Sequence, residues 1–242
     1  MANKTTWQHA GVGALLLMAA LAARAQTELT PYGVLDFSYG RFEASGALPV
    51  HRFNSNSMSA SFVGLNLKRG FDDGWTPGIT LETFVRFQDF QTGRRQTDPL
   101  FSRNAFVSLG SKYGTLRVGR LQTFLFDTTA RFNALGNSPV FSPAMRHVFG
   151  SGNIEGIQGD FYWNRAISYQ TPANLEGMLE GVSINLMAAN GPTGLQSGDL
   201  AGGSVVVSRG LLAVALSAQN VHINNGIDDP TSETTWQLGA TY

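Results

Sequence analysis

The sequence predicts an all-β protein, an antiparallel transmembrane β-barrel with about ten strands. Three observations favour this fold class: a secretory signal at the N-terminus, short runs in which apolar and polar residues alternate, and turn-forming residues between the runs. After the signal there is no run of 18 apolar residues, so the sequence predicts no transmembrane helix. A chain of this kind would cross a membrane with strands, which must pair all their backbone groups.

The first 25 residues have the three-part pattern of a secretory signal peptide. Lys4 is followed by an apolar segment over about 10–23, and Ala23-Arg24-Ala25 is a small-x-small cleavage pattern. The apolar segment is short for a membrane anchor, which needs about 20 residues, and no stop-transfer charges follow it. We therefore expect cleavage before Gln26 and export of residues 26–242.

Composition and motifs exclude several function classes. Without the signal, the chain has 15 Lys and Arg against 17 Asp and Glu, which gives no reason to expect nucleic acid as a partner. There is no Cys, which excludes a disulfide framework and a thiolate metal site. There is also no hydrolase, zinc-protease or nucleotide-loop motif. The sequence therefore predicts no catalytic residue, no cofactor and no metal site, and so no enzyme.

Ten runs with period-two alternation follow the signal. In the third run, Leu81 and Val85 share one face, and Glu82 and Arg86 share the other. One face is aliphatic and aromatic, whereas the other mixes Gly, Ser, Asn, Gln and a few charges, as a water-filled lumen requires. The runs cover about 30–42, 57–69, 77–91, 101–110, 114–121, 164–172, 181–190, 202–209, 211–223 and 234–242.

A secreted soluble β-sandwich that binds a sugar or a protein would also alternate, and it is the alternative fold. The lengths of the runs favour the membrane barrel, because strands tilted in a bilayer need about 9–11 residues. Aromatic residues near the ends of the runs favour it too, since barrels place aromatic girdles at both interfaces. These residues are Tyr32, Phe42, Phe90, Phe101, Tyr113, Tyr169, Trp236 and Tyr242.

The connections between runs have two lengths. "SKYG" at 111–114 is a tight turn and 71–77 is a short one, whereas 122–163 is long and has no clear strand pattern. Short turns at one end and long loops at the other are typical of outer-membrane barrels. A loop as long as 122–163 in a compact domain is usually functional.

Several stretches resemble the general porins of Gram-negative bacteria, most closely the trimeric type common in β-proteobacteria. The stretches are "YGVLDFS" (32–38), "SFVGLNLKRGFDDGWTPGITLETF" (61–84), "FSRNAFVSLGSKYGTLRVGR" (101–120) and "SYQTP" (168–172). The resemblance implies a sixteen-stranded antiparallel barrel that assembles as a homotrimer in outer-membrane lipid. In that family the third loop follows the fifth strand, folds inward and narrows the pore, which makes 122–163 the expected constriction loop.

The resemblance also implies a function: passive diffusion of small hydrophilic solutes and ions through a water-filled channel of the outer membrane, without catalysis. Ten runs account for only part of sixteen strands, so we expect residues 26–242 to form an incomplete barrel. A small, complete ten-stranded barrel that ends in Tyr242 is the alternative. Phe62 and Ser168 stand where the family tends to have basic residues, which thins the expected wall of arginines.

Arg117 and Arg120 are the first candidates for that wall. In strict alternation Arg117 faces the lumen, whereas Arg120 faces lipid, which costs about 2–4 kcal/mol at the bilayer midplane. A bulge at Gly119 would add one residue and turn Arg120 inward. The family places a constriction arginine after this glycine, so the resemblance implies a pore-wall role for Arg120. By its phase with Ala105, Arg103 is expected at the rim.

The remaining candidates are Asp36, Glu82 and Arg86 on the wall and Asp127 and Arg131 on the long loop. Between 128 and 154 the loop contains two arginines and no acidic residue. Rings of basic side chains favour anions on Coulombic grounds. Together with the wall arginines, this composition indicates a basic constriction with a mild preference for anions.

Overall fold

The computed structural model describes residues 27–242 except 44–45, 150–157, 173–174, 176, 193–196 and 224–230. The predicted signal peptide, 1–25, lies outside the described residues. Within the described part of the chain, no helix has the length and apolar character needed to cross a membrane.

Most of the described chain is β-strand. The strands are β1 Thr27–Val34, β2 Phe37–Phe42, β3 Val50–Ser55, β4 Phe62–Arg69, β5 Thr76–Arg86, β6 Gln91–Thr92, β7 Ala105–Ser111, β8 Gly114–Gln122, β9 Tyr162–Gln170, β10 Val182–Pro192, β11 Ser197–Arg209, β12 Leu212–Ile223 and β13 Thr231–Thr241. The helices are α1 Phe124–Arg131 and α2 Pro143–Val148, and Gly177–Leu179 forms a 3₁₀ turn.

Ten of these strands form one continuous sheet in the order β1-β4-β5-β7-β8-β9-β10-β11-β12-β13. Each pairs antiparallel with its neighbours. The short β6 pairs with β5, and β2 and β3 form a separate hairpin. The structure therefore confirms the all-β, antiparallel architecture, with ten strands along the main sheet.

One predicted run, 30–42, is divided in the structure. Residues 30–42 form two strands, because the chain leaves the sheet at Leu35 and Asp36 and continues as β2 in the separate hairpin. The partner of β2 is β3, for which the sequence had predicted no strand. Period-two alternation continues through both strands, so it does not report where the pairing partner changes.

The two faces of the main sheet differ as the alternation predicted. The outward face exposes apolar side chains, which would be unfavourable in water and is the expected surface towards lipid. The inward face is polar, and its amides and hydroxyls bond from strand to strand: Asn185 Nδ2 donates to Ser204 Oγ at 3.1 Å. Outward residues include Val107, Leu109, Leu116, Val118, Ile167, Leu186 and Leu216.

The long loop between β8 and β9 folds against the inward face of the sheet. Its first segment is α1, which begins after Thr123, whose side chain accepts a hydrogen bond from the backbone of Phe126. Phe124 packs into a buried cluster with residues of β8 to β12, and burial of such a side chain contributes about 1.5–3 kcal/mol. The cluster contains Leu121, Phe124, Trp163, Ala166, Met187, Leu200 and Val221.

Hydrogen bonds attach the same loop to the last two strands of the sheet. Thr128 Oγ1 lies 2.8 Å from Ser217 Oγ on β12, and Thr129 Oγ1 donates to Gln237 Oε1 on β13 at 2.6 Å. Residues of α1 and α2 form a second apolar cluster with Phe149. The long, inward-folded loop after the fifth strand of the sheet is thus confirmed.

Candidate pore constriction

A cavity of about 250 Å³ lies between the start of α1 and the inward faces of the first strands. Its lining is mostly polar and carries three charged side chains. The lining residues are Tyr32, Asn66, Thr80, Glu82, Asn104, Phe106, Arg117, Leu121, Gln122, Asp127 and Ser168. Three of the predicted lumen residues, Glu82, Arg117 and Asp127, are therefore brought together at one place.

Glu82 is buried on the inward face of β5. Its carboxylate accepts hydrogen bonds from the Tyr32 hydroxyl, from Arg103 Nη1 and, at 2.5 Å, from Asn104 Nδ2. Gly64 on β4 lies directly opposite and leaves room for this group: a Cβ there would lie 2.9 Å from Glu82 Cγ and 3.0 Å from Tyr32 Cζ. The Glu82 carboxylate is therefore ion-paired with Arg103 and hydrogen-bonded to two neutral side chains.

Arg103 is not at the rim, where its phase had placed it. It forms an ion pair with Glu82, and its guanidinium carbon lies 3.8 Å from the centroid of the Phe62 ring. The physical reason is local: β7 begins at Ala105, so Arg103 precedes the strand and the alternation does not fix its direction. A basic group thus stands next to Phe62, although the sequence has no basic residue at position 62.

Arg117 lies on the inward face of β8, opposite Ser108 of β7 and Ser168 of β9. Its guanidinium carbon is 5.5 Å from the centroid of the Phe106 ring. Among the residues that the structure describes, no carboxylate oxygen lies within 4.0 Å of its nitrogen atoms. Arg117 therefore presents to the cavity a positive charge that is not neutralised by a direct ion pair.

Asp127 is the acidic residue that the loop contributes to the cavity. It lies in the first turn of α1, where a carboxylate interacts favourably with the helix dipole, and it accepts a hydrogen bond from Gln122 Nε2. The Gln122 Oε1 atom in turn accepts a hydrogen bond from the Tyr162 hydroxyl at 2.5 Å. The start of the loop is thereby tied to the paired ends of β8 and β9.

Arg120 follows a bulge at Gly119, a position where the sequence allowed one. Gly119 has φ of +145°, and the register between β8 and β9 shifts between Gly119 and Leu121. The Arg120 guanidinium donates to the Ser102 carbonyl oxygen at 2.9 Å and to Asn164 Oδ1 at 2.8 Å. It does not line the cavity; it joins β8 to the loop before β7 and to the end of the long loop.

The base of the long loop is held by an ion-pair cluster that the sequence did not predict. Both Arg94 Nη atoms donate to Asp160, at 3.0 and 2.9 Å, and Arg120 Nη2 lies 3.3 Å from Asp160 Oδ2. The Arg94 guanidinium carbon also lies 5.2 and 5.0 Å from the ring centroids of Phe84 and Phe161. Arg94 is in an irregular loop, where no periodic signal exists, so the sequence pattern had no means of pairing it with Asp160.

These contacts change the acidity of Asp160. Burial alone raises the pKa of its carboxyl, but the charges of Arg94 and Arg120 and the hydrogen bonds from Arg94 and the Tyr162 backbone hold that pKa below its usual value. Asp160 is therefore ionised at neutral pH and binds the two arginines as a carboxylate.

Three further candidates lie outside the cavity. Arg86 pairs with Asp89 at 3.3 Å, and Arg131 Nη2 donates to Ser208 Oγ at 3.2 Å. Asp36 lies between β1 and β2, where its carboxylate accepts hydrogen bonds from three backbone N–H groups of 57–59. The structure thus places Asp36 in a loop, whereas the sequence had placed it within a strand of the wall.

The described side chains form no evident metal site. In the part of the chain that the structure describes, no three His, Cys, Asp or Glu side chains are arranged so that they could hold a metal ion. The groups that converge on the cavity are amides, hydroxyls and oppositely charged side chains, which suit contact with water and small polar solutes.

Comparison with solved structures gives the same fold. An anion-selective porin from Comamonas acidovorans aligns with TM-score 0.71 and 21% identity, over 89% of this chain and 63% of that chain. OmpT, an outer membrane protein of Vibrio cholerae, aligns in its trimer form with TM-score 0.55 and 14% identity, over 88% of this chain and 58% of that chain. The chain thus spans less than two thirds of either structure.

No curated protein matches the chain in sequence. The family model described as Gram-negative porin, however, matches residues 12–242, which include all ten strands of the main sheet and the long inward loop. The chain therefore belongs to the Gram-negative porin family.

Proposed function

We propose that the protein forms a water-filled channel for passive diffusion of small hydrophilic solutes and ions across the outer membrane, with a mild preference for anions. The observation that carries this proposal is the state of the charges at the cavity. Glu82 is neutralised by Arg103, whereas Arg117 faces the cavity without a direct ion pair among the described residues. Family and fold point to a channel rather than to an enzyme.

The preference for anions is mild because one acidic group remains at the cavity. Asp127 lines it together with Arg117, so these two charges offset each other in part. Arg131 lies outside the cavity, at the end of α1, and it also has no carboxylate within 4.0 Å in the described part of the chain. The similarity of this fold to an anion-selective porin supports that balance.

We further propose that the protein is exported with cleavage of residues 1–25 and assembles as a homotrimer in the outer membrane. The pattern of the first 25 residues supports export. The family and the trimer form of the similar Vibrio cholerae protein support the assembly. The apolar outward face of the sheet supplies the surface that lipid and neighbouring subunits would contact.

The test is a reversal-potential measurement on the refolded protein in a planar bilayer, with a KCl gradient. Arg117→Gln should shift the reversal potential towards cation selectivity, because it removes the unpaired charge at the cavity. Lys112→Gln is the matched control, since Lys112 lies in the turn between β7 and β8, next to Tyr113. Absence of channels would contradict the channel function, and an Arg117→Gln channel with unchanged reversal potential would contradict the assigned role of Arg117.

A further inference from the structure

We propose that Asp36 is a positioning residue for the pore: it fixes a turn of the first loop, and that turn holds the middle of the long inward loop in place. The proposal rests on the proposed channel function, because it concerns the width of the same pore. We call residues 56–61, which precede β4, the latch turn. Asp36 itself does not line the cavity.

The carboxylate of Asp36 binds the backbone of the latch turn. Its Oδ1 atom accepts from the N–H of Ser57 at 2.7 Å, and its Oδ2 atom accepts from the N–H groups of Met58 and Ser59, each at 3.0 Å. The backbone N–H of Asp36 donates to Ser61 Oγ at 2.9 Å. Hydrogen bonds to an ionised acceptor are stronger than those between neutral groups, so this one side chain has a large share in defining the turn.

The interior of the latch turn is also closely defined. Asn56 has φ of +66°, and its side-chain Oδ1 accepts from the N–H of Ser61 at 2.6 Å. The Ser57 hydroxyl lies 2.7 Å from Ser38 Oγ and accepts from Asn54 Nδ2 at 2.8 Å. Ser57 and Ser61 are fully buried. The Asp36 carboxylate and the side chains of Asn56, Ser57 and Ser61 therefore bond this turn from several directions.

The long inward loop attaches to the same residues. Ser138 Oγ donates to the carbonyl oxygen of Ser57 at 2.7 Å, and Asn137 Nδ2 donates to Ser59 Oγ at 3.2 Å. Ser138 is fully buried, and its hydroxyl also accepts from the N–H of Phe141 at 2.9 Å. The loop is thus bonded to Ser57 and Ser59, two of the three residues whose N–H groups Asp36 binds.

This attachment joins the loop to the first strands of the sheet, whereas α1 is bonded to the last ones. The helix is bonded to β12 and β13, the last strands of the sheet, through Thr128 and Thr129. The latch turn leads into β4, which pairs with β1, the first strand of the sheet. The loop is therefore attached both near the first strands and at the last strands of the described sheet. Loss of the Asp36 contacts would release it on the side of the first strands and allow the pore to widen and fluctuate.

Single-channel recording on the full chain tests this role. Asp36→Ala should shift the conductance to a higher and noisier level, and Asp36→Asn, which keeps one acceptor oxygen, should give a smaller shift. The reversal potential should stay close to wild type, because Arg117 is untouched. Glu43→Gln is the matched control: like Asp36, Glu43 is an acid next to β2, but it lies at the other end of that strand and pairs with Arg41 on the exposed surface.

Two further variants separate positioning from a general loss of folding. Asn137→Ala combined with Ser138→Ala breaks the contact from the loop side and should give the same shift in conductance. The chain contains no Cys, so Ser59→Cys and Asn137→Cys provide unique sites for a short thiol crosslinker. Crosslinking these sites in the Asp36→Ala background should return the conductance to the wild-type level.

The possible outcomes are distinguishable. A wild-type protein that forms no channel overturns the proposed function. If the wild type conducts, but neither Asp36→Ala nor the Asn137→Ala and Ser138→Ala pair changes conductance or noise, the positioning role is overturned. It is also overturned if the crosslink forms and the Asp36→Ala conductance stays shifted, because Asp36 would then act through something other than the latch turn.

Discussion

The guanidinium of Arg103 is bonded to the carboxylate of Glu82, and only 17% and 5% of these side chains are exposed. The pair joins β5 to the segment just before β7, and its acidic member, Glu82, lines the same cavity as Arg117. A buried charge whose partner is removed loses its compensation, which makes each member of the pair sensitive to replacement. The two members should nevertheless differ in their effect on ion selectivity.

Arg103→Gln should destabilise the barrel by about 3–5 kcal/mol, the usual cost of leaving one charge of a buried pair without its partner. It should also shift the reversal potential towards cations, because Glu82 then presents an uncompensated negative charge. The midpoint of the heat-induced gel shift and the reversal potential in a salt gradient measure the two effects. Combining Arg103→Gln with Glu82→Gln should recover much of the stability, and equal stability of the single and double variants would contradict the pairing argument.

Arg120→Met should act on stability more than on selectivity. Its guanidinium bonds to Ser102, Asn164 and Asp160, and the loss of hydrogen bonds to a charged group costs about 1.5–3 kcal/mol. The Asp160 carboxylate offsets its charge, so removing it should shift the reversal potential less than Arg117→Gln does. Thermal midpoints and reversal potentials of both variants check this order. A larger selectivity shift for Arg120→Met would restore the pore-wall role that the resemblance implied.

The Asp160 cluster should make stability depend on pH. The folded-state pKa of Asp160 lies below the unfolded value of about 3.9, so its contribution is present above that pH and is lost as the pH falls through the folded pKa. Asp160→Asn should therefore lower the thermal midpoint at pH 7, and this difference from wild type should shrink as the pH is lowered below about 4. Asp98→Asn, which alters a more distant contact of Arg94 at 3.7 Å, is the control. A difference that stays constant between pH 7 and pH 3 would contradict the assignment.

The sequence predicted the main sheet because alternation is set by which side of each strand meets water. It failed at β2, where Phe37 and Tyr39 continue the outward phase of β1 while the pairing partner changes. The break at Asp36 depends on its bonds to Ser57 and its neighbours, about twenty residues away in sequence. Alternation between neighbouring residues does not report a contact between residues so far apart in sequence.

At the candidate site, too, alternation informs about residues inside strands and not about residues outside them. Arg117 and Glu82 lie inside regular strands, where alternation assigns each side chain to a face, and both line the cavity. Arg103 precedes its strand and Arg94 lies in a loop, so their directions are fixed by Glu82 and Asp160, carboxylates from distant parts of the chain. The inward fold of the long loop was implied by the family resemblance, and its length indicated only that the loop is functional. The residues that anchor it come from distant parts of the chain, so the sequence pattern did not predict them.

Gly119→Ala should be strongly destabilising, because the bulge at this position requires a glycine. Its φ of +145° is rarely adopted by other residues, and an added Cβ would collide with the Ala105 carbonyl oxygen and lie 2.7 Å from Phe106 Cα. Backbone strain of this kind costs about 1–3 kcal/mol, and the collision adds to it.

Gly40→Ala is the control for that substitution, since a Cβ at Gly40 meets no atom within 4 Å. The thermal midpoint of Gly119→Ala should fall clearly below those of wild type and Gly40→Ala. Because the bulge also directs Arg120 towards Asp160, a refolded Gly119→Ala protein should lose part of the pH dependence of stability described for Asp160. Equal midpoints for the two alanine variants would show that β8 can pair with β9 without the bulge.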